Sequence, residues 1–269
     1  MDVEKYLERI GYRGGREPSA ANLAALVKAH RLAVPYETLD PWRGRHVTLA
    51  TEELFDKIVT RRRGGYCFEL NGLFAWLLRE LGYNVREHFG RWLMGEEQPV
   101  PMFSHRIVCV ALPDGRNQIA DVGIGLPLML SPIDFAFDVP QMHGGRAYRV
   151  VRDPVLRVVV EMRRGTNWDR LFSFDTEPRL PIDFEHAHWW CQTHPDSSFL
   201  SKLWVFRPLA DGGSLTISPE EDPKGSGEKV LALARFDSRG KMGLTFLRSE
   251  AALLKTLRDE FGIVEAGVV

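Results

Sequence analysis

Two adjacent glycines, followed by a cysteine where an apolar helical repeat begins, constrain this chain more than any other feature. Residues 63–71 read Arg-Gly-Gly-Tyr-Cys-Phe-Glu-Leu-Asn. From 70 to 81 apolar residues recur at three- and four-residue spacing, and Gly82 follows, which predicts a helix that ends there. Cys67 therefore lies at a helix N-terminus, where unpaired N–H groups and the macrodipole favour a thiolate. The two glycines allow a tight turn that leaves the sulfur open to a ligand.

Partners for Cys67 are expected from later in the chain, because a nucleophilic cysteine needs a base and a group that orients the base. His105 lies in the apolar segment 102–110, and Asp121 follows across a Pro-Asp-Gly-Arg turn. On adjacent strands the imidazole can take the thiol proton while the carboxylate fixes its tautomer and stabilises its charge. The residues alone equally allow a small core cysteine, a hydrogen-bonded strand histidine and a strand-end aspartate.

Side-chain alternation makes the hairpin between His105 and Asp121 a geometric test. The two side chains share one face of an antiparallel ladder only if the connecting loop has an odd number of residues. We expect a three-residue loop, 114–116, which sets Asp121 opposite Cys109. That register leaves His105 far along the strand, so it also requires a bend or bulge near Gly123.

Composition limits the classes of function. The chain has 269 residues, 44% hydrophobic and 26% charged, which allows one large domain or two to three smaller ones. Its net charge of -1 gives no general affinity for nucleic acid or anionic membranes. We expect neither an export signal nor a membrane span. Three cysteines without a Cys-x-x-Cys pair argue against a disulfide framework and favour the cytoplasm.

The pattern of apolar residues changes from helical to strand spacing after Gly82. Before it, helices are predicted near 3–10, 20–30 and 51–59, with Asp2 and Ser19 as N-caps. After it, short β-rich runs predict an antiparallel sheet or small barrel. A segment at 178–198 should be irregular or partly helical, and further strands should follow it. The strands are expected near 84–94, 103–112, 117–124, 147–152, 155–163, 170–174, 203–207, 214–217, 228–236 and 241–247. A final helix should follow Ser249 and close at Gly262.

Three further patterns suggest other sites. The segment containing His186, His188, Cys191 and His194 is rich in zinc ligands, but one irregular cluster among tryptophans is weak evidence, and we predict no metal. The run 123–125 lacks the third glycine and the following helix of a dinucleotide fingerprint.

The third pattern is charge in segments that otherwise read as buried. We expect Glu37 to pair with Arg9, Arg63 or both, beneath the cysteine loop.

Several motifs together resemble the arylamine N-acetyltransferase family. The segment 63–71 is similar to its nucleophile motif, Ser104-His105-Arg106 to its histidine strand and 121–125 to its aspartate-glycine segment. Segments 6–12, 35–40 and 193–197 resemble further signatures of the family. The likeness covers most of the chain and is strongest through residue 125.

The resemblance implies an α+β fold in three parts. These are a helical bundle over 1–83 that carries the nucleophile, an antiparallel β-barrel over 84–190 that carries the histidine and aspartate, and an α/β lid over 191–269. It also implies a papain-like triad between the first two parts, with Cys67 as nucleophile, His105 as base and Asp121 as orienting residue.

The family's remaining site positions carry over with some departures. Tyr36, Phe68 and Ile124 are the implied walls of the acceptor pocket. Gly123, Gly125 and Thr193 are the implied contacts to coenzyme A. Tyr36 and Ile124 each stand where the family commonly has Phe, and Leu70 where Gln or Val is common. Positions 36 and 124 therefore bear on amine preference rather than on the chemistry.

The implied reaction is a ping-pong transfer of acetyl from acetyl-CoA, through Cys67, to an arylamine, arylhydrazine or N-hydroxyarylamine, as in xenobiotic metabolism. No metal, nucleic acid or membrane is implied, and the chain is expected to be a monomer or homodimer. A related amide synthase would instead release a polyketide as a macrolactam. A cysteine hydrolase would pass the acyl group to water. A coenzyme A or arylamine binding protein would bind without turnover.

Overall fold

The computed structural model describes residues 1–95, 100–125, 129–223, 225 and 227–264. The helices are α1 Val3–Arg9, α2 Ala20–Ala33, α3 Leu39–Trp42, α4 Thr51–Phe55, α5 Cys67–Glu80, α6 Glu185–Thr193, α7 Ser198–Ser201 and α8 Glu250–Phe261. A π-helical turn spans Asp56–Thr60 and a 3-10 turn spans Pro181–Phe184. The strands are β1 Tyr36–Glu37, β2 Asn84–Trp92, β3 His105–Ala111, β4 Asn117–Ile119, β5 Ile133–Asp134, β6 Gln141–His143, β7 Arg146–Asp153, β8 Arg157–Arg164, β9 Asn167–Phe174, β10 Val205–Pro208, β11 Ser214–Glu221, β12 Lys229–Phe236 and β13 Met242–Phe246.

The first helices begin where the sequence predicts, but α2 continues to Ala33 and α4 ends at Phe55. The side chains of Asp2 and Ser19 accept hydrogen bonds from the first turns of α1 and α2, and Ser249 does the same for α8. Gly262 ends α8 in the left-handed conformation, at φ 69°. Helix α5 is the centre of the bundle, since ten of its residues are buried. The cysteine therefore starts a helix that packing holds rigid.

Eight strands form an antiparallel sheet that closes almost completely into a barrel. Their order is β5-β4-β3-β2-β9-β8-β7-β6. The two end strands meet through Gln141, whose side chain bonds both the N–H and the carbonyl of Asp134, at 2.7 and 2.8 Å. A core that includes Ile107, Tyr148 and Phe172 fills the interior. Strand β3 faces α5 on its other side, which brings the predicted histidine strand to the cysteine helix.

The third part is a five-stranded sheet, in the order β1-β10-β11-β12-β13, with α8 packed against it. Its first strand comes from the N-terminal region, because Tyr36 pairs with Phe206 and Glu37 with Val205. Tyr36 also bridges Gly65 in the cysteine loop. The α+β fold with bundle, barrel and α/β unit is thus confirmed. The predicted boundary between 190 and 191 falls inside α6, and the division into three domains stays a prediction.

The hairpin between β3 and β4 has an odd loop, but its position differs from our prediction. Cys109 pairs with Ile119, not Asp121, so the three-residue loop is 113–115. The predicted strand 117–124 is also too long, because the described ladder ends at Ile119. Beyond it, the N–H groups of Val122 and Gly123 bond to side chains instead of a strand. The shifted register brings Asp121 closer to His105 along the hairpin than our prediction did.

Candidate active site

Cys67 is the first residue of α5, as predicted. Tyr66 caps the helix in an extended conformation, with φ −101° and ψ −175°, and its N–H donates to the Glu69 carboxylate at 3.1 Å. Gly64 is required by close approach, because a Cβ there would lie 2.1 Å from the Pro35 carbonyl oxygen. The loop is therefore fixed from both sides before it enters the helix.

The sulfur of Cys67 is more enclosed than the sequence suggests. Cys67 is only 3% exposed, and its thiol donates to the carbonyl of Ser104 at 3.4 Å. The expectation that the glycine turn leaves the sulfur open is thus wrong for this conformation, because the segment entering β3 covers it.

His105 and Asp121 meet beside this thiol. His105 Nε2 lies 2.6 Å from Asp121 Oδ2, and the two side chains are 4% and 0% exposed. The Asp121 contact uses Nε2 and so leaves Nδ1 as the second imidazole nitrogen. The imidazole and the Cys67 thiol lie close enough for each to shift the pKa of the other. The structure therefore places the three predicted side chains in the order thiol, imidazole and carboxylate. Such an arrangement can move a proton from sulfur to imidazole.

Asn71 is a site residue to which the sequence reasoning assigned no role. Its amide nitrogen donates to Asp121 Oδ1 at 2.8 Å, and its amide oxygen accepts from the N–H of Val122 at 2.9 Å. The N–H of Gly123 adds a bond to Asp121 Oδ1 at 2.8 Å. Asn71 lies four residues after Cys67 and so on the same face of α5. That spacing was the available signal.

Burial and charge act in opposite directions on the thiol and the imidazole. Burial opposes a charge on His105, but the Asp121 carboxylate and hydrogen bonds to Asp121 and Cys67 outweigh it and raise its pKa to about 10. Burial also raises the pKa of the Cys67 thiol, while the hydrogen bond and charge of His105 lower it again. An imidazolium is therefore held next to the sulfur, where it stabilises a thiolate once one forms.

A buried charge network lies beneath the cysteine loop. Arg63 contacts Glu37 at 2.8 Å and Asp40 at 3.2 Å, and Lys57 contacts Asp40 at 2.7 Å and Glu69 at 2.5 Å. Burial raises the pKa of Glu69 to about 7, and the Lys57 ammonium opposes this.

The predicted pairing of Glu37 with Arg63 is confirmed. Arg9 is different, because its guanidinium bonds main-chain carbonyls, among them Ile58 at 2.9 Å and Ala33 at 2.9 Å.

Two more buried arginines hold the site together. Arg106 reaches from β3 to Glu87 and to the carbonyl of Phe68, which fixes the strand against α5. Arg31 donates from α2 to the carbonyls of Val122 and Ile124. Neither was predicted to matter, since an arginine in a sequence usually indicates a solvated surface.

Comparison with known proteins agrees with this geometry. A family model described as N-acetyltransferase matches residues 19–264. The chain belongs to the arylamine N-acetyltransferase family. It is 41% identical over 210 residues to an arylamine N-acetyltransferase of Mycolicibacterium smegmatis, which covers 76% of each protein. An arylamine N-acetyltransferase of Mycobacterium bovis is 34% identical over all of this chain and 91% of its own length.

The fold agrees with a solved arylamine N-acetyltransferase. The structure of the Mycobacterium marinum enzyme in complex with CoA superposes with a TM-score of 0.86 and 34% identity, and covers 97% of this chain and 93% of that one. Membership of the family makes this chain an N-acetyltransferase enzyme.

The three residues predicted to line the acceptor pocket of the acetyltransferase differ in accessibility. Tyr36 lies in β1, is 9% exposed and contacts Phe206, with ring centroids 5.6 Å apart. Phe68 is fully buried among aromatic side chains that include Tyr66 and Phe184. Ile124 is 1% exposed and belongs to the barrel core. All three residues are therefore buried in this conformation, Tyr36 least completely.

The three predicted coenzyme A contacts of the acetyltransferase have different immediate neighbours. A Cβ on Gly123 would be 2.7 Å from the Cα of Cys67, so this glycine lets the Asp121 segment touch the cysteine helix. A Cβ on Gly125 would be 2.3 Å from the ring of Phe206. The hydroxyl of Thr193 donates to the Trp189 carbonyl of its own helix at 2.6 Å. Protein atoms thus fill the space beside both glycines.

Side chains in the histidine-rich segment of the acetyltransferase contact other protein groups. His188 accepts from the Tyr66 hydroxyl at 2.5 Å through Nδ1 and donates to the Val47 carbonyl at 2.8 Å through Nε2. Cys191 is buried and unbridged. Over the described ranges, no group of three or more potential ligands is placed to hold a metal ion. Over the same ranges, no helix is both long and apolar enough to cross a membrane.

Proposed function

We propose that the chain transfers an acetyl group from acetyl-CoA to the nitrogen of an arylamine, arylhydrazine or N-hydroxyarylamine, by a ping-pong mechanism through acetylated Cys67. The observation that carries the proposal is the 2.6 Å contact between His105 Nε2 and Asp121 Oδ2 beside a thiol at a helix start. Family membership supports the acyl transfer, and a relative in complex with CoA supports the donor.

In the first half-reaction the Cys67 thiolate attacks the thioester carbonyl, and the carbonyl π electrons move to oxygen. The tetrahedral intermediate then expels the sulfur of coenzyme A, which takes a proton from the His105 imidazolium. Asp121 holds this imidazolium and lowers its energy. The backbone N–H of Cys67 is our candidate donor to the oxyanion, because helix α5 leaves its first N–H groups without partners inside the helix.

In the second half-reaction the acceptor nitrogen attacks the acetyl carbonyl, and the neutral imidazole of His105 takes its proton. Collapse of the intermediate releases the Cys67 thiolate and restores the starting state. Arylamines are weakly basic, so their nitrogen is mostly unprotonated at neutral pH and ready to attack. Tyr36, Phe68 and Ile124 remain our proposed pocket walls, and the buried positions of the last two mean that neighbouring side chains must move on binding.

Gly123, Gly125 and Thr193 remain our proposed contacts to coenzyme A. The close packing of both glycines supports a main-chain role for them, because only their backbone groups can face a ligand. We also propose a cytoplasmic monomer or homodimer. Three free, buried cysteines suit a reducing compartment.

The deciding experiment is intact-mass spectrometry of the protein after incubation with acetyl-CoA, followed by addition of an arylamine or a hydrazine. We expect the mass of one acetyl group on Cys67 and its quantitative transfer to the amine. Loss of the acetyl group mainly to water would indicate a hydrolase instead. Failure to form any adduct, with acyl transfer only from a carrier protein, would indicate an amide synthase. Binding without an adduct or turnover would indicate a binding protein.

A further inference from the structure

Three arginines converge on a surface pocket away from the residues of the candidate active site. The pocket has a volume of about 240 Å³ and is lined by Arg9 from α1, Arg62 from the loop before α5 and Arg207 from β10, with the end of α8. The three arginines come from distant parts of the sequence, so no local motif indicates the cluster.

The hydrogen bonds of these arginines leave their positive charge uncompensated. The guanidinium of Arg9 donates to the carbonyls of Ile58, Ala33, Arg62 and Arg63, and Arg207 donates to the carbonyl of Glu260. Within the described part of the chain, no ion pair joins Arg9, Arg62 or Arg207 to a carboxylate. The Glu260 carboxylate pairs with Arg235 instead, at 2.5 Å.

Two further observations point to a ligand. Nε of Arg207 is buried and has no hydrogen-bond partner among the described residues. Arg9 is 6% exposed, and burial together with the charges of Arg62 and Arg207 lowers its pKa to about 10. A buried cation that faces two others raises the energy of the folded chain unless an anion enters.

We propose that this pocket binds a small polyvalent oxyanion, either inorganic phosphate or the phosphate group of a small monoester. Guanidinium groups match phosphate oxygens in charge and in the spacing of their N–H donors. The volume accommodates a tetrahedral oxyanion with water around it. This site is separate from the chemistry proposed for Cys67.

Binding also braces the chain before the cysteine. Arg9 bonds the carbonyls of Arg62 and Arg63, the two residues that precede the glycine pair. An anion that holds Arg9 and Arg62 together therefore stabilises the folded state, by an amount that increases with the anion concentration. The melting temperature of the protein therefore reports anion binding in addition to direct binding measurements.

The test is calorimetric titration of the full chain with inorganic phosphate and, separately, with glycerol 3-phosphate, each against sodium chloride at matched ionic strength. We expect saturable binding to the wild-type protein and a melting temperature that rises with phosphate. Arg62→Gln and Arg207→Gln should each weaken binding by roughly tenfold or more, as expected for the loss of a charge-assisted bond. Tighter binding of the ester would identify an organic phosphate as the ligand, and equal binding would identify the inorganic ion.

Arg61→Gln is the matched control, because Arg61 is adjacent, exposed and paired with Asp56 rather than directed into the pocket. It should bind phosphate like the wild-type protein. Absence of saturable binding, or equal affinity in Arg61→Gln and Arg62→Gln, would overturn the proposal. If Arg207→Gln does not fold, the phosphate affinity of Arg62→Gln tests the proposal, because Arg62 is exposed and its replacement leaves the core intact.

Discussion

His105 Nε2 and Asp121 Oδ2 are 2.6 Å apart, although the two residues are not directly opposite each other in their hairpin. If the register of β3 and β4 continued, Asp121 would lie opposite Ile107, two residues from His105. Diagonal neighbours on one face of a sheet are within reach of a long or aromatic side chain. The contact therefore depends on an odd loop and on the Asn71 bonds that hold Asp121 beyond the end of the strand.

Replacement of Cys67 by Ser should abolish acetyl transfer. The hydroxyl is similar in size but far harder to ionise, so we expect the rate to fall by roughly a thousandfold or more with little change in melting temperature. Cys109→Ser and Cys191→Ser are controls, since both residues are buried and unbridged elsewhere. Substantial activity in Cys67→Ser, or first labelling of Cys109 by iodoacetamide, would contradict the assignment.

Asn71→Ala should slow acetylation while the protein stays folded. Loss of the amide frees one side of Asp121 and lets the imidazole turn, and misplacement by about 1 Å costs up to roughly a hundredfold in rate. We expect kcat to fall by a larger factor than the KM for acetyl-CoA changes. Stopped-flow acetylation with acetyl-CoA measures both. Asn22→Ala, at an exposed amide in α2, serves as control. An unchanged acetylation rate would show that Asp121 is held without Asn71.

The His105–Asp121 pair should make stability depend on pH. The pKa of His105 rises from 6.5 to about 10 on folding, so its contribution is complete below about pH 6.5 and is lost as the pH rises to about 10. Asp121→Asn removes the main cause of the rise. The free energy of unfolding in urea should be higher for the wild-type protein than for Asp121→Asn at low pH. This difference should decrease by a few kcal/mol as the pH rises across this window. A constant difference would show that the pair carries no raised pKa.

Arg63→Gln should lower stability more than the activity of each folded molecule. It removes a charge that Glu37 and Asp40 both contact, and breaking a buried pair costs about 3 to 5 kcal/mol. Thermal unfolding and activity per folded molecule are the measurements. Arg61→Gln, which breaks an exposed pair with Asp56, should change stability by about 1 kcal/mol or less. Equal melting temperatures for the two variants would refute the effect of burial.

Gly123→Ala tests the contact between the Asp121 segment and the cysteine helix. The added methyl would meet the Cα of Cys67 at 2.7 Å and Asn71 Nδ2 at 2.8 Å, so the segment must shift. We expect a stability loss of about 1 to 3 kcal/mol together with a large loss of acetylation rate. Gly243→Ala is the control, since a Cβ there meets nothing within 4 Å. Wild-type behaviour of Gly123→Ala would argue against this contact.

Local patterns in the sequence predicted the features that depend on few residues. Capping residues and apolar spacing indicated α1, α2, α5 and α8, because those signals act within one turn of helix. The odd number of residues in the β3–β4 loop was predicted correctly for a similar reason, since it follows from side-chain alternation alone. The register of the hairpin was predicted wrongly, because the position of the turn depends on which residue accepts the first cross-strand bond.

Contacts between distant segments were beyond sequence reasoning. Glu37 was expected to pair with Arg9, Arg63 or both, and it pairs with Arg63, whereas Arg9 donates to carbonyls that only the folded bundle assembles. Phe68 and Ile124 were expected at a pocket, yet packing by residues far along the chain buries both. Asn71 and Arg31 were missed because their partners lie 35 or more residues away in the sequence. Such contacts depend on the tertiary fold, and helical spacing indicates at most which face of α5 carries Asn71.

The two-residue strand β1 has a consequence for how the chain folds. It gives the C-terminal sheet an edge, and through the Tyr36 bridge to Gly65 it also touches the turn that leads to the cysteine. A fragment that ended near residue 190 would leave this strand without β10, its partner in the sheet. The turn that leads to Cys67 therefore gains the support of the β1–β10 pairing only when residues 205–208 are present.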